Sequence, residues 1–249
     1  VISGALLIVK FNTHPKENHG MPQSELDQIM ERIRAKFDVE TVPLRIGGKE
    51  LKILQLTDFE SYVEDLIEKG VEIKELPYWA KVWDACFLLA LFLGKQPVVP
   101  GQRILEIGAG LGVVGIYAAL CGHKVTLSDV DEDALLFARA NVLMNGIPHV
   151  EVLNMDWRSP NLPEPYDIIV GSEVIYERTV YPALVQFLRK ALAPKGTIFL
   201  SKNTLLPTPT FFPELTTHFK FKQTVGKVHL DGEAQEIAIY AIRRKEEGN

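Results

Sequence analysis

Between Ser24 and Gly70 the apolar positions change period twice. Leu26, Ile29, Met30, Ile33 and Phe37 recur at helical spacing behind Ser24 and Asp27, a pair arranged as a capping box. The stretch TVPLRIGGKELKILQL then alternates on either side of Gly47-Gly48, which predicts a hairpin closed by a two-residue turn. Thr57 and Glu60 are expected to cap a second helix carrying Phe59, Tyr62, Val63, Leu66 and Ile67, which Gly70 ends. From about Leu76 short apolar runs alternate with longer ones. Arg103–Ile107, Lys124–Ser128, Val150–Met155, Asp167–Gly171 and Thr197–Ser201 read as strands. Val113–Cys121, Asp133–Asn145 and Val180–Leu192 read as helices between them. Short apolar strands joined through helices imply a parallel sheet covered on both faces. FKFKQTVGKVHL and AQEIAIYAIRR, joined by DGE, predict a terminal antiparallel hairpin. The expected fold class is therefore α/β: a doubly wound, Rossmann-like, seven-stranded sheet, mostly parallel with a C-terminal antiparallel hairpin. An N-terminal helix-hairpin-helix layer over residues 1–75 precedes the main domain at 76–249. The opening VISGALLIVK lacks the basic flank and cleavage site of a signal peptide, and residues 1–20 stay open between an extension, a remnant of expression and an edge strand.

Composition alters this picture little. The chain has 249 residues, 47% hydrophobic and 24% charged, as in ordinary globular proteins. A core of this size needs neither disulfides nor a structural metal. Cys86 and Cys121 lie in apolar runs and read as reduced, buried thiols, which points to a cytoplasmic location. The histidines show no metal-binding spacing, and His123 and His149 read as solvent-facing turn residues. A net charge of −5 argues against extended nucleic-acid binding. No run approaches the roughly 20 apolar residues of a membrane span. A monomer is expected.

The chemistry gathers at RILEIGAGLGVVG, Arg103 to Gly115. Glycines at the end of a strand and before a helix mark the cofactor crevice of an open parallel sheet. The dinucleotide fingerprint would need a glycine at Val113, and the phosphate-gripping loop would need a lysine that does not follow. What remains is Glu106 followed by Gly108, Gly110 and Gly112, an acid that is awkward for pyrophosphate and agreeable to a cation. Asp129 ends the next strand, 21 residues after Gly108, near the offset at which a carboxylate meets ribose hydroxyls. A nucleoside without phosphates, bearing a sulfonium and an amino-acid tail, satisfies the set. That molecule is S-adenosylmethionine.

LEIGAGLG, LSDVD, NMDW and YDIIVGSEVIY, in this order, resemble the successive motifs of the seven-strand class I S-adenosylmethionine-dependent methyltransferases. LPYWAKVWDACFLLALFL and SEVIY narrow the resemblance to the methyltransferase-like protein-lysine methyltransferases. By position, the resemblance implies that Trp83 packs against the cofactor and that Glu106, Gly108 and Gly110 surround its methionine part. Asp129 would hold the ribose, Asp156 and Trp157 would flank the adenine, and Ser172 would line the methyl-transfer pocket. Glu173 and Tyr176 would face the incoming amine, Glu173 standing where many members have aspartate. Base methylation usually goes with Asn-Pro-Pro-aromatic at this point, which Ser172–Tyr176 does not match.

Bland alternatives stand beside these roles. Asp129 could cap the following helix, although Asp131 is better placed. Trp83 could be core, and Tyr78 and Trp79 could either pack or touch substrate. A small-molecule methyltransferase and a non-catalytic cofactor-binding or scaffolding module also remain open.

Overall fold

The computed structural model describes residues 24–162, 164–230 and 233–245; residues 1–20 and the start of the DGE turn lie outside them. Helix α1 (Glu25–Arg34) starts with the expected capping box, Ser24 and Asp27 each accepting from the other's main chain. Strands β1 (Val39–Ile46) and β2 (Lys49–Leu56) form the predicted hairpin. Its turn places Gly47 and Gly48 at φ 53° and 82°, the backbone that glycine alone adopts freely. Helix α2 (Phe59–Glu68) is capped one residue later than expected: Asp58, not Thr57, accepts from the Ser61 N–H at 2.9 Å. A carboxylate is the stronger acceptor at a helix N-terminus.

Helix α3 (Ala85–Gly94) leads into the main sheet. Its strands are β3 (Arg103–Ile107), β4 (Lys124–Asp129), β5 (Glu151–Asn154), β6 (Tyr166–Ser172), β7 (Leu192–Asn203), β8 (Phe219–Leu230) and β9 (Glu233–Arg244), in spatial order β5-β4-β3-β6-β7-β9-β8. The first five pair in parallel, and β9 joins β7 and β8 antiparallel. Between them run α4 (Val113–Leu120), α5 (Glu132–Met144), α6 (Tyr181–Ala191) and the short α7 (Phe211–Leu215). The order reverses between β3 and β6, the switch point at which such sheets open a crevice.

Alternation along the strands divides the interior in two. Ile104, Leu127 and Val170 face a core shared with α3, α4, α5, the hairpin and α1. Leu105, Ile107 and Ile169 face α6, α7 and the terminal hairpin. The N-terminal layer therefore shares one continuous core with a face of the sheet.

Among the described residues the outer edge of β2 is closed by side chains rather than by a third strand. Asn141 on α5 and Asn145 at its C-cap, one helical turn apart, act as surrogate peptide groups. Asn141 Oδ1 accepts from Leu54 N at 2.6 Å while its Nδ2 donates to Leu54 O and Leu111 O. Asn145 repeats the exchange with Lys52 N and O. The hairpin is thus tied to the loop after β3.

Two surface expectations need correction. His123 is only 5% exposed, because the reversal at Gly122 (φ 96°) and its own N–H returning to Ala118 O turn the ring inward. Cys121 is half-buried rather than buried; Cys86 is buried, and both thiols are free. His149 is exposed, as read. Among the described residues no helix is long and apolar enough to cross a membrane, and no cluster of three metal-ligating side chains occurs.

Candidate active site

Strands β3, β4 and β6 end side by side, and the loops leaving them carry most of the residues singled out from sequence. Gly108 (φ 56°) and Gly110 (φ 50°) hold the loop after β3 in left-handed turns. A Cβ at Gly108 would stand 2.9 Å from Val174 Cγ1, and one at Gly110 would stand 2.8 Å from the Trp79 carbonyl. Both positions exclude side chains on conformation and space alike.

The loop's own N–H groups answer the phosphate question. Ala109 N donates to Ser128 O, Gly110 N to Asp129 Oδ2, Gly112 N to Ala109 O and Gly115 N to Glu106 Oε2, all within 2.9 Å. A phosphate cradle needs such groups free and converging. These are spent internally.

Asp129 is fixed rather than capping. Its carboxylate accepts from Gly110 N (2.9 Å), Val130 N (2.8 Å) and Asp131 N (3.1 Å). The cap of α5 is Asp131, which accepts from Asp133 N and Ala134 N. Burial raises the Asp129 carboxyl from its ordinary value, against the pull of its three N–H donors.

Glu106 is not the acidic rim that the sequence suggested. It shares the Ile104 face of β3, which α4 covers, and it is buried beneath the loop with Gly115 N–H on Oε2. Desolvation pushes its carboxyl up to about 8, so near neutrality it is mostly uncharged. Its contact with the loop is through the Gly115 N–H.

Trp157 packs against the second core with Cζ2 3.8 Å from the Gly108 Cβ position. Asp156 is gripped by the Arg158 guanidinium at 2.8 Å, which holds its carboxyl below the usual range. Ser172, at the end of β6, accepts from Ser201 Oγ at 3.2 Å. Trp79 packs on Phe37 and Phe137 with its main chain over Gly110.

Glu173 follows Ser172 with φ 55°. Its N–H donates to Ser201 O (2.8 Å), and its Oε1 accepts from Asn203 N (2.6 Å). Burial raises its carboxyl, while the Asn203 N–H and the Lys202 charge pull the other way. It borders a cavity of about 580 Å³ that also includes Trp83, Asp84, Phe87, Asn203 and hairpin residues. Trp83 thus shares a cavity with Glu173, its Nε1 donating to Tyr78 O at 2.7 Å. Tyr176 is 56% exposed and does not line the cavity; its ring meets Tyr78 at 5.7 Å.

Sequence reading missed Lys202, Asn203, Asp84 and the hairpin wall. Lys202 is buried, and its Nζ donates to the carbonyls of Asn203 (2.8 Å) and Leu206. The available signal was a lysine inside the apolar strand TIFLSKN.

Glycines that allow close approach, a fixed carboxylate at the next strand end, a flanking indole and a loop whose Ala109, Gly110, Gly112 and Gly115 N–H groups are already engaged fit a nucleoside without phosphates. The profile of the lysine methyltransferase family matches residues 72–217. The protein N-lysine methyltransferase METTL21A of Danio rerio is 37% identical over 184 residues, spanning 69% of this chain and 81% of its own. The EEF1A lysine methyltransferase 3 of Mus musculus is 30% identical over 228 residues, spanning 85% and 94%. Among solved structures, the glycopeptide N-methyltransferase MtfA crystallised with S-adenosylmethionine superposes with a TM-score of 0.55 at 15% identity, over 65% of this chain and 95% of that one, a likeness of fold. The chain belongs to the lysine methyltransferase family and is an S-adenosylmethionine-dependent methyltransferase.

Proposed function

We propose that this chain methylates the side-chain amine of a lysine in a protein substrate. The observation that carries the proposal is Glu173, a partly buried acid held in a strained backbone where the strand-end crevice meets an apolar-walled cavity. A carboxylate so placed is costly unless it is paired or used, and the Asn203 N–H engages only one of its two oxygens. S-adenosylmethionine, when bound, supplies a methyl group activated by its sulfonium. Gly108 and Gly110 would admit it closely, Asp129 would accept from its ribose hydroxyls, Asp156 and Trp157 would flank its adenine, and Ser172 would border its methyl end.

The chain's remaining task is alignment, which is worth about 7–11 kcal/mol in well-oriented reactions. Glu173 accepts a hydrogen bond from the amine and fixes its direction. The amine, of ordinary pKa about 10.4, must shed a proton before it can attack. The apolar walls favour its neutral form, and Glu173 is placed to take the proton. The C–N bond forms as the methyl–sulfur bond breaks and S-adenosylhomocysteine leaves. Tyr176 and Tyr78 form the outer edge of this site. Trp83 is assigned to the acceptor side, because it shares the cavity with Glu173.

The names of the relatives support a protein lysine, and EEF1A is the first substrate to test. A reducing, cytoplasmic setting fits both free thiols.

The test combines the purified protein, radiolabelled S-adenosylmethionine and a lysate from cells lacking the gene. A discrete labelled protein yielding methyl-lysine on hydrolysis is expected. Glu173→Ala should cut the rate by roughly a hundredfold or more while S-adenosylhomocysteine binds as before. Label confined to small molecules, or recovered on another residue, would overturn the proposal.

A further inference from the structure

The cavity at Glu173 is assembled from stretches far apart in sequence. Strands β1 and β2 contribute Val42, Leu44, Ile53 and Gln55, and the loop after β7 contributes Leu205 and Leu206. Its volume of about 580 Å³ falls within the range of ligand pockets and exceeds what one lysine side chain fills. At its mouth Leu205 and Leu206 are 80% and 50% exposed, apolar surface turned to solvent.

Its lining carries two acids, Asp84 and Glu173, and one cation, Lys81. Asp84 lies in the wall beside Glu173, and its carboxylate makes no hydrogen bond or ion pair among the described residues. Of the two neighbouring cations, Lys81 is tied to Glu60 at 2.7 Å, and Lys202 Nζ is spent on two main-chain carbonyls. Apolar walls over an acidic floor complement an unbranched methylene stem with a cationic tip. With Oε1 of Glu173 already holding the Asn203 N–H, one oxygen is left to the guest.

We propose that the β1–β2 hairpin is the acceptor-selecting wall of this enzyme. Together with the 203–206 loop it receives a lysine from an extended segment of a protein substrate, an apolar residue beside that lysine resting on Leu205 and Leu206. The inference rests on the reading of Glu173 given above, and it adds the element that chooses among substrates. The exposed leucines gain a partner only when the acceptor belongs to a macromolecule.

The test uses the full chain and the protein band labelled in the lysate, at a lysate concentration where the rate is proportional to substrate. Two variants are compared: Leu205→Ser with Leu206→Ser, which alters only exposed groups, and Val42→Lys, which sets a tethered ammonium in the channel. Each should slow labelling by roughly tenfold or more while the dissociation constant of S-adenosylhomocysteine stays within about twofold. Should Val42→Lys fail to fold by circular dichroism, Gln55→Lys replaces it under the same criteria. An unchanged rate in the folded hairpin variant overturns the proposal while leaving lysine methylation standing. Weakened S-adenosylhomocysteine binding in a folded variant moves these residues to the cofactor side and also overturns it. A wild-type protein that binds S-adenosylhomocysteine but labels no protein lysine removes the underlying reading, and the wall with it.

Discussion

Glu173 is the only non-glycine residue among those described with a left-handed backbone, at φ 55°. That conformation costs an ordinary residue about 1–2 kcal/mol, and such strain persists where the surroundings over-determine it. Here the Ser201 carbonyl and the Asn203 N–H fix the residue from both sides. The strain gives a test that is independent of catalysis. Glu173→Ala and Glu173→Gly both lose the carboxylate, but only glycine relaxes the backbone. At most sites alanine is the more stable of the two; here glycine should exceed alanine by about 0.5–1 kcal/mol in denaturant unfolding. The usual order would mean that the φ value is not a source of strain. No feature of SEVIY in sequence announced this conformation, because it follows from where β6 must turn against β7. Glu106 shows the same limit: its place in the motif was legible, but its burial depended on which strand face α4 covers.

Among the elements, those whose pattern is local were the legible ones. Arg103–Ile107 came out as read, and the Gly47-Gly48 turn was placed by alternation alone. Strand β7 begins at Leu192 instead of Thr197, because Tyr166 of β6 pairs with Leu192 before the register jumps to Ile168 and Thr197, leaving the Pro-Lys-Gly stretch as an irregularity inside the strand. The tie between α5 and β2 was not legible, for Asn141 and Asn145 meet main-chain groups 87 and 93 residues away. In sequence they are two polar residues on a helix. Asn141 is fully buried, and its amide satisfies Leu54 N–H, Leu54 C=O and Leu111 C=O. Asn141→Ala should therefore cost about 2–4 kcal/mol in denaturant unfolding, because each buried group left unpaired costs about 1–3 kcal/mol. Asn145→Ala, at the more exposed end, should cost about 1 kcal/mol or less. Hydrogen exchange should quicken at Leu54 in the first variant before it does elsewhere in β2. Equal costs for the two would indicate that water replaces both amides and that the hairpin is held by packing alone.

Over the whole molecule, the site and the surface drive stability in opposite directions with pH. Burial raises the carboxyls of Glu106, Asp129 and Glu173 above their ordinary values. A carboxyl raised on folding binds its proton more tightly in the native chain than in the unfolded one. Its stabilising effect is complete below the unfolded value and is lost as pH rises through the folded one. For Glu106 that window runs from 4.5 to about 8. Its slope is at most about 1.4 kcal/mol per pH unit for a single proton. The surface pairs act with the other sign: Arg139 holds Glu25 low, Lys81 holds Glu60 low and Arg158 holds Asp156 low, so their contribution fades as pH falls through the carboxylate range. Exposed pairs of this kind are worth little. The buried acids should therefore dominate, and unfolding midpoints of the ligand-free protein should fall steadily between about pH 5 and about pH 8. Glu106→Gln keeps an acceptor for Gly115 N–H and removes the largest titration, so its profile over that range should be distinctly flatter. The residual slope would belong to Asp129 and Glu173. Parallel profiles for the two proteins would mean that Glu106 keeps its charge when folded. In that case the acid beneath the loop would act on a bound cation as well as on the shape of the backbone above it.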